Sequence, residues 1–153
     1  MPRLVRIPRI YLSSGFYIWL STALLMVPLR WIAAWVGAAF IHEIGHYITL
    51  RLFDVGVESV EFCGAGCVMK TAPVYGLTEV ICAAVGPVAS LLLVFLWKDY
   101  PRLAICALLQ CMYNLLPIYP LDGGRIFFAL IKMLRSKNTL QSGSVASTIY
   151  RIK

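Results

Sequence analysis

The chain has 153 residues, of which 60% are hydrophobic and only 14% charged, with a net charge of +7 and a mean hydropathy of +0.79. Soluble domains are nearer half apolar, with about a quarter of their residues charged. The length therefore allows one domain, the composition excludes an ordinary soluble one, and the apolar excess has to face lipid. Lys and Arg collect at the ends of apolar runs rather than on one face, which excludes a nucleic-acid footprint and reads as membrane topology.

Arg3, Arg6 and Arg9 precede the first apolar run, Phe16 to Leu29, which Ile10 to Leu12 can extend. No small-residue cleavage site follows, so the run reads as a retained first span and not as a signal peptide. After Pro28 and Arg30 comes the second run, Trp31 to Phe53, long enough to cross the hydrocarbon core. Asp54 to Pro73 breaks the apolar pattern. Within it, Val57 to Phe62 and Cys67 to Lys70 can pair around Gly64-Ala65-Gly66 as a β-hairpin. The third run is Leu77 to Trp97, interrupted only by Gly86-Pro87. The fourth runs from about Arg102 to Leu116, breaks over Pro117 to Gly124, and resumes from Ile126 to Leu134. Free backbone groups at such a break are tolerated in a membrane only where protein or a polar cavity covers them. Ser136 to Thr148, rich in Ser, Thr, Gly and Asn, reads as a mobile tail.

The expected fold is thus an all-α membrane protein with about four transmembrane helices. The fourth is broken, and a short β-hairpin-like loop lies between spans two and three. Residues 1–153 form one membrane-embedded domain, with a core over about 31–134 and a tail over 136–153. Placing both termini inside puts eleven of the basic residues on the cytoplasmic side (Arg3, Arg6, Arg9, Arg51, Lys70, Arg125, Lys132, Arg135, Lys137, Arg151, Lys153), against Arg30, Lys98 and Arg102 outside. The second span then runs outside to inside, with His42 and His46 roughly 10–16 Å below the inner surface. Of the cysteines, Cys82, Cys106 and Cys111 lie in apolar runs and read as packing residues. Cys63-x-x-x-Cys67 has no partner pair and reads as part of the hairpin, not as a metal site.

His42-Glu43-Ile44-Gly45-His46 is an H-E-x-x-H match holding both histidines of the chain. Residues four apart on a helix share a face, so both imidazoles can reach one ion, and Glu43 can serve a metal-activated water as general base. The bland alternative is a satisfied core histidine. Ionisable groups inside a span cost several kcal/mol unless paired or set in a cavity, and three within five residues favour a site. A catalytic zinc takes three protein ligands and an open position. Asp54, Glu58 and Glu61 belong to the loop and Asp99 to the outer end. The third ligand is thus Asp122, in the broken part of the fourth run, or Glu79, near the inner start of the third. A helix N-cap is the plain alternative for Asp122 and is compatible with ligation. Two imidazoles and a carboxylate suit one zinc ion.

His42-Glu43-x-x-His46, together with Asn114-x-x-Pro117-x-x-Pro120-x-Asp122-Gly123-Gly124-Arg125, resembles the site-2 protease family of intramembrane zinc metalloproteases, peptidase family M50. The Asn-Pro-Pro-Asp spacing resembles most the branch containing stage IV sporulation protein FB of endospore-forming bacteria. The resemblance covers about Trp31 to Leu134. It implies His42, His46 and Asp122 as zinc ligands, Glu43 as the base, and Asn114 as a residue that holds or polarises substrate. Pro117 and Pro120 in the broken stretch are expected beside extended substrate, and the stretch Pro117 to Gly124 is a candidate gate for water. Many members carry Gly-Pro-x-x-Asn in the third span. Here it reads Gly86-Pro87-Val88-Ala89-Ser90, so Ser90 takes the place of a substrate-binding Asn.

The expected activity is hydrolysis of a peptide bond in or near a transmembrane segment of a membrane-associated protein. The branch resemblance makes that protein a pro-sigma factor, as in regulated proteolysis during sporulation. Expected partners are that substrate, membrane regulatory proteins and the lipid bilayer, with no nucleic acid. The expected location is a bacterial cell membrane, with the site in its inner half. A divalent-metal transporter and a catalytically inactive membrane binding protein are the alternatives. A transporter predicts further polar positions along a path, where the chain shows one compact cluster.

Overall fold

The computed structural model describes residues 8–149 except Ala65, with side chains described as far as residue 135. Arg3, Arg6, Arg151 and Lys153 of the charge pattern lie outside the described residues, as do the side chains of the segment read as a tail. The elements in order are strand β1 (Arg9–Leu12), helices α1 (Ser14–Met26) and α2 (Leu29–Leu52), strands β2 (Val57–Cys63) and β3 (Gly66–Thr71), and helices α3 (Gly76–Val94), α4 (Pro101–Asn114) and α5 (Asp122–Ile149).

The all-α expectation is corrected by a three-stranded sheet of order β1-β2-β3. The hairpin is present, with Phe62 opposite Cys67 and Glu61 opposite Val68. The unexpected strand is β1, which pairs parallel to β2 from Arg9 opposite Ser59 to Leu12 opposite Phe62. Ile10 to Leu12 therefore belong to the sheet and do not extend the first span. Ser13 ends the strand by donating its N–H to Phe62 O at 2.9 Å, and α1 starts at the next residue.

Helix α2 begins directly after Pro28 and ends in a left-handed turn at Asp54, φ 57°. There the N–H of Val55 donates to Leu50 O at 2.8 Å and that of Asp54 to Arg51 O at 3.1 Å, the paired closing bonds of a Schellman motif. Helix α3 runs unbroken through Gly86-Pro87, the one interruption of the third apolar run. It is also the one helix among the described residues whose length and apolarity suit a membrane crossing, its 19 residues spanning about 28 Å. Helix α1 is apolar but has 13 residues. The expected fourth span is α4 and α5, joined by irregular backbone over 115–121.

Helix α3 lies at the centre, against α2, α4 and α5. Its interfaces hold small residues, with Ala38, Ala83, Ala104 and Ala107 all fully buried. Small residues let helix backbones approach where lipid leaves no hydrophobic drive for association. Two apolar clusters result. One joins Ala38, Leu93, Cys106 and Ala107, while the other joins Leu50, Val57 and Cys82 and carries the sheet on Val60 and Met69. In sequence, His42 and His46 stand between the α2 members of these clusters, Ala38 and Leu50.

Candidate metal centre

The i, i+4 spacing on α2 sets the two imidazoles on one face, edge to face, with centroids 4.8 Å apart. The first turn of α5 brings Asp122 to them. His42 Nε2, His46 Nε2 and Asp122 Oδ2 form a near-equilateral triangle with sides of 3.2, 3.2 and 3.1 Å. All three residues are buried. Donors held tetrahedrally by one zinc at its usual bond lengths stand about 3.3–3.5 Å apart. The triangle is a few tenths of an ångström tighter than that.

Proton positions support the fit. His46 Nδ1 lies 2.7 Å from Cys82 O, an atom that can only accept, so Nδ1 carries the proton and Nε2 presents its lone pair. That lone pair faces a carboxylate oxygen, also an acceptor. Lone pairs converging from three directions form a pocket that a cation fills, and two imidazoles with a carboxylate are a donor set suited to zinc.

The sequence-predicted residues divide into two groups. His42, His46 and Asp122 come together, while Glu79 stands apart in the first turn of α3. Asn114, the last residue of α4, brings Nδ2 to 3.4 Å from His42 Nε2, at the rim of the triangle. Pro117 and Pro120 are exposed in the stretch between α4 and α5, and the Tyr119–Pro120 bond is cis. Ser90, expected beside substrate, is fully buried, with its Oγ 2.9 Å from His42 Nδ1. Arg125, counted among the basic residues of the inner side and able to pair with a carboxylate, brings Nη1 to 3.9 Å from Asp122 Oδ1. Each carboxylate oxygen of Asp122 thus has its own neighbour.

Glu43 is half-buried on α2 beside His42, and its carboxylate faces the Cys67 thiol of β3. Burial first, then the neighbouring carboxylate, pushes that thiol up to about 12. Cys67 accordingly stays protonated and can donate to Glu43. Since only thiolate alkylates, iodoacetamide at pH 8 is expected to label Cys67 about a thousandfold more slowly in the folded chain than after denaturation. The folded rate should climb about tenfold per pH unit from there. Mass-spectrometric peptide mapping checks this, and equal folded and unfolded rates would contradict it.

Sequence reasoning missed two parts of the site. The carbonyl of Cys82 has no side-chain signature. Gly86 reads as an interruption of the apolar run and as the start of the Gly-Pro-x-x-Asn counterpart, neither of which gives its role as space: a Cβ there would meet Nε2 and Cε1 of His46 and Nε2 of His42. Its spacing of four from both Cys82 and Ser90 was the available signal.

The model of peptidase family M50 matches residues 65–152, more than half of the chain, taking in Ser90, Asn114 and Asp122. A curated zinc metalloprotease of Methanocaldococcus jannaschii is 29% identical over 123 residues, covering 71% of this chain and 36% of that protein. The chain thus spans about a third of the length of that relative. Among solved structures, a site-2 protease from Methanocaldococcus jannaschii matches with a TM-score of 0.70 at 20% identity, over 81% of this chain and 67% of the other, a likeness of fold.

Proposed function

The chain belongs to peptidase family M50, and from that premise we propose that it is an intramembrane zinc metalloendopeptidase cutting a membrane-associated protein in or near a transmembrane segment. The observation that carries the reading is the buried triangle of His42, His46 and Asp122 with Glu43 beside it.

Bound there, zinc supplies a Lewis acid for the scissile carbonyl and lowers the pKa of water. The chain's own residues do the rest. Glu43 takes the proton of the attacking water as its oxygen bonds to the carbonyl carbon, then delivers it to the departing amine nitrogen as the C–N bond breaks. The amide of Asn114, at the rim of the triangle, supports a role in donating to the substrate backbone. A helical substrate has its carbonyls engaged and must unwind first. An extended segment has a docking edge in β3, whose outer side pairs with no other strand among the described residues. Cys67 of β3 faces Glu43, which supports a docking strand close to the general base.

The bias of basic residues supports both termini in the cytoplasm and a site in the inner half of the bilayer. Broad exposure of apolar side chains, such as Leu25 and Phe95 at 84% each, supports a lipid setting for the helices. The Asn114-Pro117-Pro120-Asp122 spacing supports a place in the sporulation branch and a pro-sigma factor as substrate.

Purified enzyme in bilayer nanodiscs is expected to hold one zinc and to cleave a single-span test protein. Cleavage should stop with 1,10-phenanthroline and return when zinc is added. Cleavage untouched by the chelator would remove zinc from the reaction. Zinc flux into sealed vesicles without cleavage would favour a transporter.

A further inference from the structure

We propose that Ser90 is a positioning residue for the metal centre, its hydroxyl oxygen accepting the Nδ1 proton of His42 and so aiming Nε2 of that ring at the ion. The inference rests on the zinc reading above and assigns its outer support to one helix. Cys82, Gly86 and Ser90 are spaced by four and share one face of α3. The first anchors His46 Nδ1 through its carbonyl at 2.7 Å, and the last faces His42 Nδ1 at 2.9 Å. Gly86, between them, leaves the room in which both rings stand. Helix α3 is thus a floor with an anchor at each end.

The direction of the Ser90 bond follows from the other ring nitrogen. His42 Nε2 lies 3.2 Å from both His46 Nε2 and Asp122 Oδ2. To ligate a metal there it must present a lone pair, so the ring proton belongs on Nδ1, where Ser90 receives it. Burial of Ser90 at 0% exposure keeps water from substituting. The same burial removes Ser90 from the substrate side, where the Gly-Pro-x-x-Asn comparison had put it. Of the two anchors only this one is a side chain, so only this one can be tested by substitution.

The test uses the full chain in nanodiscs, titrated with Zn2+ and with Co2+ as a spectroscopic probe. Ser90→Ala is expected to weaken zinc about 10–100-fold, the usual loss when a partner behind a ligand is removed. It should also shift the cobalt visible bands, while Ser90→Thr, which keeps the hydroxyl, should bind more tightly than Ser90→Ala. Unchanged affinity and bands in Ser90→Ala overturn the proposal. A second measurement needs no variant: ring 15N shifts of the metal-free wild type should show the His42 proton on Nδ1, and a proton on Nε2 overturns the proposal as well. If wild type binds neither metal, the zinc reading itself falls, an outcome distinct from both.

Discussion

Glu43→Gln is expected to lower the rate of cleavage about 10²–10⁴-fold while leaving one zinc per chain, since a positioned general base contributes on that order. Gln has the size and shape of Glu and accepts a hydrogen bond through one oxygen, but it cannot take a proton from water. Glu43 stands next to a ligand in sequence and is absent from the buried triangle, so its removal should spare the metal. Single-turnover cleavage of a single-span test protein, with zinc measured by atomic absorption, separates the two effects. Zinc retained with cleavage near the wild-type rate would take the base role from Glu43. Loss of zinc would mean that the carboxylate supports the ligands and not the water.

Cys67 sharpens that expectation. Its thiol stays protonated and faces the carboxylate, so it is a hydrogen-bond donor that holds Glu43 in place. The hairpin thereby does two things at once. It offers an edge that no other strand among the described residues covers, and it touches the base along the same strand.

The parts of this arrangement legible in the sequence are those with local periodicity. The H-E-x-x-H spacing is a property of one helix, and α2 realises it within its own turns. The hairpin register follows from two short β-rich stretches around Gly64-Ala65-Gly66, and the strands pair as that pattern implies. What was not legible is what depends on distant partners. Strand β1 is four residues, Arg-Ile-Tyr-Leu, whose partner lies about fifty positions away on β2, and nothing local separates it from the start of an apolar span. Gly86-Pro87 interrupts the apolar run, yet α3 is buried at that point and packed on three sides, so the loss of one backbone bond does not end it. Ser90 fits a motif by position, but the fold buries it and sets its hydroxyl against the ring of His42.

The same distant packing makes Gly86→Ala the most damaging single-atom change expected for the metal. On an isolated helix the substitution is favourable by up to about 1 kcal/mol. Here the added methyl falls where the rings of His42 and His46 stand, and those rings are held from behind by Ser90 and Cys82. They cannot withdraw without losing those bonds. Overpacking of this kind costs about 1–3 kcal/mol, so the metal-free protein should stay folded and melt about 2–12 °C below wild type. Zinc affinity should instead fall more than about 100-fold, because moving the rings breaks the triangle as well as one outer contact. Gly45→Ala supplies the contrast, since its methyl would meet Ala89 Cβ and Val85 O at 3.2 Å, a tight fit that a small shift between α2 and α3 relieves. Calorimetric zinc titration and thermal melts with and without the metal check both variants. If Gly86→Ala binds zinc as tightly as wild type, the rings are not pinned against α3, and the positioning role given to that helix fails with it.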